Sequence, residues 1–360
     1  MTAVSVNDLA AFLTAFLFSA TVTPVVRDLA FKVGMIDHPG PRKVHASPMP
    51  VLGGLAVYLA TVFAIAAFVA DEEWSQMLGI FVASSLALVV GMLDDRGILH
   101  HQIKLLVAMP FAAAVLIVTG MHSEMFLEFE TLSGLGLSGA WFDYGLSFVW
   151  FVGIIAAFSI LDHMDGLCAG VAAIAAAFSF SFATVSGQLL VATLAAAILG
   201  ASLGFLWWNK KPARIFLGDG GAMLLGLVIA TLGIKLRFPE LSPTVSWMVP
   251  VMVLAVPIFD TTLVTVSRLR RGLVPFSSPG KDHTAHRLVS LGLSERQAVV
   301  VIYGLGLVGG LSAWLVALFG PPVGIPVAGC MAVGVIAAIA WLERVPYEKQ
   351  TVSSGTGGSA

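Results

Sequence analysis

Long apolar stretches separated by short polar segments fill nearly the whole chain. An apolar run of about 20 residues can cross a bilayer as a helix, and eleven runs approach this length. They cover roughly residues 8–27, 51–70, 75–93, 104–120, 144–161, 166–185, 189–207, 219–236, 246–267, 297–318 and 323–342. The alternating segments of about ten residues that are typical of a transmembrane β-barrel do not occur. The pattern therefore predicts an all-α polytopic membrane protein with about 11 transmembrane helices.

Two polar segments differ from simple connectors. Residues 122–143 are too polar to span a membrane, and their rough alternation around a Ser-Gly turn predicts a small external β-hairpin. The Gly/Ser-rich C-terminus predicts a disordered tail over residues 346–360. We therefore expect a single transmembrane domain over residues 1–345, followed by this cytoplasmic tail.

Composition agrees with a membrane protein. Of the 360 residues, 58% are hydrophobic and 11% are charged, and the mean hydropathy is +0.94. Soluble domains have about 25% charged residues, so a soluble enzyme and a disordered chain are both excluded. Cys168 and Cys330 lie far apart in apolar sequence, and they predict neither a disulfide nor a metal site.

The positions of Lys and Arg predict the orientation in the membrane. With the N-terminus outside, all of the 19 Lys and Arg residues except Lys235 and Arg237 fall in inner loops. Cytoplasmic loops carry an excess of these residues. Removing or adding one span would destroy this asymmetry, so it supports eleven spans with the N-terminus out and the C-terminus in.

Acidic residues and histidines collect at the inner ends of the predicted spans. They are Asp94 and Asp95 after the third span, Asp162 and Asp165 after the fifth, Asp219 before the eighth, and His283 and His286 after the ninth. Any one of these could simply cap a helix, but five aspartates from three span ends repel one another unless a cation neutralises them. Oxygen ligands suit Mg²⁺, which binds one or two carboxylates plus substrate phosphates. The pattern therefore favours a Mg²⁺-phosphate site at the inner face.

Basic and small residues accompany these aspartates. Arg42, Lys43, His45 and Lys104 could contact phosphate groups, although most inner basic residues are better explained as membrane anchors. Gly218, beside Asp219, would let a backbone approach a ligand closely. Asp260 lies within the ninth span. Two interpretations stay open: a buried contact with the basic cluster around Arg268, or a functional role.

Five of these segments resemble, in order, the motifs of the polyprenyl-phosphate N-acetylhexosamine-1-phosphate transferases. That family includes the enzymes that start O-antigen synthesis and the phospho-MurNAc-pentapeptide translocase. The segments are DHPGPRKVHASPMPVLGG, GMLDDRG, AAFSILDHMDGLCAG, RIFLGDGGAMLLG and VPFSSPGKDHTAHRLVSLGLS. The eleven-span layout and the external hairpin also agree with that family, and the last loop is most similar to its GlcNAc-type branch.

The chain departs from the family pattern at several positions. Ala156 and Ser159 stand where the family motif has asparagines, and His163 stands where it has glycine. Ala222 replaces a serine, and Ala285 replaces a histidine. Ser159 and His163 are the residues that could take over the contacts of the missing asparagines.

The resemblance implies an enzyme of the bacterial inner (plasma) membrane with a cytoplasmic active site. It would transfer a sugar-1-phosphate, GlcNAc-1-phosphate above all, from a UDP-N-acetylhexosamine to a polyprenyl phosphate, release UMP and so start cell-envelope polysaccharide synthesis. Mg²⁺, or Mn²⁺ in its place, would be the cofactor. The other partners would be the membrane and no nucleic acid, and a homodimer is compatible with the sequence.

The resemblance also implies roles for individual residues. Asp219 would bind metal together with Asp165, while Asp94, Asp95, Asp162, Asp165, His283 and His286 would form the catalytic group. Substrate contacts would come from Arg42, Lys43, His45, Lys104, Ser159, His163, Gly218 and Arg287. Two alternatives stay open: a multi-span transporter, and an inactive family member that binds nucleotide sugar without turnover.

Overall fold

A computed structural model describes residues 4–39, 47–69, 74–99, 103–123, 139–275 and 280–345. Helices account for most of these residues. Their bounds are α1 Val6–Val33, α2 Gly53–Phe68, α3 Trp74–Asp95, α4 Lys104–Val118, α5 Gly139–Leu161, α6 Leu167–Val185, α7 Leu189–Asn209, α8 Gly218–Lys235, α9 Pro243–Val253, α10 Ala255–Arg270, α11 Thr284–Ser290, α12 Glu295–Phe319 and α13 Pro321–Leu342.

Every predicted span coincides with helix in this structure. Among the described residues, eight helices are long and apolar enough to cross a membrane, and α9 with α10 could form a ninth, bent span. The remaining two predicted spans correspond to α2 and α4, which are shorter apolar helices. The structure therefore confirms an all-α polytopic membrane protein, while the count of eleven crossings and their orientation stay predictions.

The ninth predicted span is not a straight helix. It breaks at Leu254, where α9 and α10 meet at an angle of 78°. Pro257 lies in the first turn of α10 and has no N–H to donate to a carbonyl one turn earlier. Proline is a common cause of sharp kinks in helices. The kink gives α10 a direction different from that of α9.

The polar segments differ from expectation in one respect. Helix α5 begins at Gly139, inside the segment predicted as the external hairpin, and residues 124–138 of that hairpin lie outside the described residues. The tail over residues 346–360 also lies outside them. Two short antiparallel strands, β1 Ile36–Asp37 and β2 Met49–Pro50, connect α1 to α2.

Helix α8 lies in the middle of the bundle because glycines let α2 and α3 approach its backbone. A Cβ on Gly54 would stand 2.3 Å from Cα of Gly221, and a Cβ on Gly91 would stand 2.3 Å from Cα of Gly220. Small residues at such crossings are how membrane helices gain close van der Waals contact. In the most apolar 18-residue stretch of each helix, 83% of the residues are buried in α8 and 6% in α13. Helix α8 is therefore the structural centre of the bundle.

The predicted inner ends of the helices meet at one end of the bundle, which we call the site end. The backbone N–H of Asp219 at the start of α8 bonds to Asp95 at the end of α3. Gly166, after α5, bonds to Asn209 at the end of α7. Lys211 pairs with Glu295 at the start of α12. Residues that are distant in sequence are thereby assembled in one region.

Candidate active site

The start of α8 is held by a carboxylate from α3. The N–H groups of Asp219 and Gly220 donate to the two carboxylate oxygens of Asp95 at 3.0 and 3.4 Å. Helix N-termini have unpaired N–H groups and attract negative charge. Gly218 has φ +78°, and a Cβ there would lie 2.7 Å from an Asp95 oxygen. Glycine is therefore required at position 218 for the approach of Asp95, independently of the substrate contact that was predicted for Gly218.

Asp219 is the point at which four helices converge. The ammonium of Lys104 in α4 lies 2.7 Å from Asp94 and 2.9 Å from Asp219, and the Lys104 side chain is 14% exposed. The hydroxyl of Ser159 in α5 donates to the other oxygen of Asp219 at 2.9 Å. Asp94, Lys104, Ser159 and Asp219 were all predicted from sequence, and the structure brings them together.

Asp162 lies near the same group, whereas Asp165 makes its hydrogen bond and ion pair with the segment before α8. Burial raises the pKa of Asp162 well above its ordinary value, and the charges of Asp219 and Asp95 act in the same direction. Asp165 instead accepts the N–H of Ala213 at 3.0 Å and lies 3.6 Å from the Lys211 ammonium. Its contacts are with the turn before α8, so Asp162 is the better candidate to join Asp219 at a metal ion.

Oxygen atoms dominate this aspartate cluster, which we define as Asp94, Asp95, Asp162 and Asp219. Mg²⁺ prefers such ligands, and it usually takes one or two carboxylates and fills its other positions with phosphate and water. Among the described residues, the aspartates do not bring three ligand atoms within 4.8 Å of one another. The cluster therefore fits an ion that shares its coordination with substrate better than a closed, all-protein site.

The loop before α11 brings two histidines to the same end of the bundle. Asp260 of α10 accepts a hydrogen bond from His283 Nδ1 at 3.0 Å and one from the Thr284 N–H at 2.7 Å. The ring centre of His163 lies 4.2 Å from that of His283 and 4.9 Å from that of His286. Burial, together with the neighbouring His283, lowers the pKa of His163 and brings that of His286 to about 4. Both shifts favour the neutral form of the His163 and His286 imidazoles.

The sequence left two roles open for Asp260, and the hydrogen bonds to His283 and Thr284 do not support the one that involves the basic cluster. Arg268, in that cluster, donates instead to both oxygens of Asp282 at 3.0 Å. Burial opposes the ionisation of Asp282, yet the hydrogen bonds and charge of Arg268 outweigh it and hold the pKa of Asp282 at about 2. Nothing in the sequence marked the Asp260–His283 contact, since the two residues are 23 positions apart.

Arg287 is buried and contacts protein groups. Its guanidinium donates to the backbone oxygens of Asp282 and Leu342 and to the hydroxyl of Ser267, and it pairs with Glu343 at 2.7 Å. Its side chain is 0% exposed. This environment favours a structural role, linking α11 to the end of α13, over the predicted substrate contact. The predicted residues Arg42, Lys43 and His45 lie outside the described residues.

An apolar groove of about 420 Å³ is lined by residues close in the chain to Lys104 and Ser159. Its lining comes from α4, α5 and α10 and consists of Leu105, Leu106, Pro110, Val152, Gly153, Ala156 and Thr261. Leu105 follows Lys104 in the chain, and Ala156 lies about one helical turn before Ser159. The groove thus leads from charged groups into the apolar part of the bundle, a feature that periodicity in the sequence did not reveal.

Comparison with known proteins gives a consistent result. Residues 77–237 match the sequence model of Glycosyl transferase family 4. The chain is 35% identical to the probable undecaprenyl-phosphate N-acetylglucosaminyl 1-phosphate transferase of Bacillus subtilis, over 84% of this chain and 83% of that protein. It is 32% identical to the decaprenyl-phosphate N-acetylglucosaminephosphotransferase of Mycobacterium tuberculosis, over 81% and 78%. It is 28% identical to the undecaprenyl-phosphate alpha-N-acetylglucosaminyl 1-phosphate transferase of Escherichia coli, over 81% and 78%.

Proposed function

Because the chain belongs to glycosyl transferase family 4, we propose that it is a polyprenyl-phosphate N-acetylglucosamine-1-phosphate transferase. It transfers GlcNAc-1-phosphate from UDP-GlcNAc to a polyprenyl phosphate and releases UMP. The observation that carries this proposal is the aspartate cluster, in which Lys104 pairs with Asp94 and Asp219, next in the chain to residues that line an apolar groove.

The two substrates differ in a way that matches this layout. A polyprenyl chain is apolar and would lie in the groove between α4, α5 and α10, with its phosphate at the charged end near Lys104. A UDP-sugar is polar and would approach from water at the site end. Both reacting groups are anions, so a cation is needed to bring them together.

The reaction is an attack of one phosphate on another. An oxygen of the lipid phosphate forms a bond to the β-phosphorus of the nucleotide sugar, the bond from that phosphorus to the bridging oxygen breaks, and UMP leaves with the electron pair. The lipid phosphate is already largely deprotonated near neutral pH, so a strong base is unnecessary. Positioning and charge neutralisation supply most of the rate in such transfers.

Individual residues have separate tasks in this proposal. Asp219 and Asp162 would hold Mg²⁺, which when bound neutralises phosphate charge. Ser159 orients Asp219, and Asp95 fixes the start of α8. Lys104 offers its ammonium to the lipid phosphate. Lys104 pairs with both Asp94 and Asp219. Its ammonium can therefore give up one carboxylate for the lipid phosphate and still be paired with an anion.

We further propose that the site end faces the cytoplasm in a bacterial plasma membrane. Eleven crossings with the N-terminus outside would put this end inside the cell, where nucleotide sugars are made. Clusters of basic residues lie at the same end: Lys210, Lys211 and Arg214 after α7, and Arg270 and Arg271 at the end of α10. An excess of such residues is typical of cytoplasmic loops.

A donor panel tests the proposed function. The purified full chain in detergent is given polyprenyl phosphate, Mg²⁺ and one of UDP-GlcNAc, UDP-GalNAc or UDP-MurNAc-pentapeptide, and released UMP is measured. We expect lipid-dependent UMP release with UDP-GlcNAc in preference to the other two. Saturable UDP-GlcNAc binding without UMP release would instead identify an inactive family member, and transport of substrate without UMP release would identify a transporter.

A further inference from the structure

The three imidazoles of His163, His283 and His286 form a compact group at the site end. His163 stands where the family motif has glycine, and its ring lies face to face with that of His283 at an interplanar angle of 25°. His286 lies against the other two at ring-centre distances of 4.9 and 6.0 Å. Asp260 adjoins the group through His283.

The hydrogen bonds of His163 determine which of its nitrogens is free. Nδ1 lies 3.1 Å from the carbonyl oxygen of Ile160, which can only accept, so Nδ1 carries the proton. The lone pair of the ring is then on Nε2. Within the described part of the chain, this Nε2 is buried and has no hydrogen-bond partner. A buried acceptor without a hydrogen-bond partner is unfavourable, so this nitrogen is available to bind a ligand.

His283 is prepared in the same way. Its Nδ1 faces a carboxylate oxygen of Asp260, and because an ionised carboxylate is only an acceptor, Nδ1 again carries the proton. This leaves the lone pair on Nε2. A histidine that binds metal usually donates its other N–H to a carboxylate or a backbone carbonyl. His283 donates to a carboxylate in this way, and His163 donates to a backbone carbonyl.

We propose that His163 and His283, with Asp260 behind His283, form a binding site for a borderline divalent ion of the Zn²⁺ class, separate from the Mg²⁺ site. Imidazole ligands favour Zn²⁺, Co²⁺ or Ni²⁺, whereas Mg²⁺ favours oxygen. The inference goes beyond the proposed function, since the transfer needs no such ion.

The distances are compatible with this assignment. One nitrogen of His163, one nitrogen of His283 and one carboxylate oxygen of Asp260 lie within 4.8 Å of one another, so the two rings and the carboxylate behind them already form a compact group. Ligands around a tetrahedral ion with bonds of 2.0–2.1 Å stand about 3.4 Å apart, so closure requires movements of about 1 Å that side-chain rotation can supply. His286 is the nearest candidate for a third nitrogen ligand.

Metal binding measured without substrates tests the proposal independently of the transferase activity. The full chain in detergent is stripped with EDTA, returned to saturating Mg²⁺ and titrated with Zn²⁺ against a chromophoric chelator. Co²⁺ absorption in the visible range reports nitrogen coordination in a parallel sample. We expect one Zn²⁺ bound by the wild-type chain and by His122→Ala, because His122 lies against Tyr144 near the opposite end of the bundle.

Two variants locate the ion. His163→Ala should lose the bound Zn²⁺ and the Co²⁺ absorption. Asp260→Asn should weaken Zn²⁺ binding by about 10- to 100-fold, since it removes only the carboxylate behind His283. Unchanged Zn²⁺ affinity in either variant, or no binding by the wild-type chain in the presence of Mg²⁺, would overturn the proposal. If His163→Ala unfolds, as judged by gel filtration and melting temperature, Asp260→Asn decides.

Discussion

The hydroxyl of Ser159 is the smallest group whose removal tests the arrangement of the active site. It donates to one oxygen of Asp219 at 2.9 Å, while the other oxygen of Asp219 pairs with Lys104. Ser159→Ala removes this donor and leaves the charge of the site unchanged. Asp219 can then rotate away from the position in which it would meet metal and phosphate, so we expect turnover to fall while the fold is kept.

The size of the effect follows from the nature of the bond. A hydrogen bond to a charged group contributes about 1.5–3 kcal/mol. At about 1.4 kcal/mol for each factor of ten in rate, its loss corresponds to a decrease in kcat/KM of about 10- to 150-fold. Ser159→Asn should retain most of the activity, because the amide also carries an N–H donor and is the residue that the family motif has at this position.

The assay is UMP release by the purified chain in detergent with UDP-GlcNAc, polyprenyl phosphate and Mg²⁺. Ser179→Ala is the control: its hydroxyl is buried and likewise donates one hydrogen bond, to the carbonyl of Ala175 within α6, away from the site. A Ser159→Ala variant that folds and works within about twofold of wild type, a difference of about 0.4 kcal/mol, would refute the proposed role of Ser159 in orienting Asp219.

Three further outcomes are expected. Gly153→Leu should raise the KM for polyprenyl phosphate and leave the KM for UDP-GlcNAc unchanged, because the new side chain fills the groove. Gly145→Leu is the control, since Gly145 also lies in α5 and has open space where a Cβ would stand. Equal effects of the two variants would contradict the assignment of the groove to the lipid. Arg287→Met should lower the free energy of unfolding by about 3–5 kcal/mol, measured by thermal or denaturant melting, because it breaks a buried ion pair and leaves Glu343 only its more exposed contact with Arg270 at 3.4 Å. An unchanged melting temperature with weaker substrate binding would restore the substrate role. EDTA should stop UMP release and Mg²⁺ or Mn²⁺ should restore it, whereas activity with all divalent ions chelated would exclude the metal.

Much of the fold could be predicted from the sequence because each helix is a continuous apolar run. The exceptions have local causes. Helix α5 extends back to Gly139 through Trp141 and Phe142, aromatic residues that fit a strand pattern as well as a helix. The break at Leu254 depends on how α9 and α10 pack around Pro257, which hydropathy does not record.

The membership of the candidate site was also largely predictable, but the contacts within it were not. Placing Asp94, Asp95 and Asp219 at inner span ends was enough to predict that they lie close together. The contacts depend on the rotation of each helix about its axis, and a helix that is apolar all round gives no sign of which face is buried. For this reason the turning of Asp165 toward Ala213 and the contact of Asp260 with His283 could be found only in the structure.

In the proposed reaction, Asp219 and its neighbours transfer a sugar phosphate from a nucleotide sugar to a lipid phosphate with the help of Mg²⁺. Asp219→Asn tests it most directly, because it removes the negative charge and keeps nearly the same shape. UMP and the lipid-linked sugar diphosphate are measured together in the same reaction with UDP-GlcNAc and polyprenyl phosphate. We expect wild type to form both products in equal amounts and Asp219→Asn to form neither above background, whereas near wild-type turnover by a folded Asp219→Asn would contradict the account.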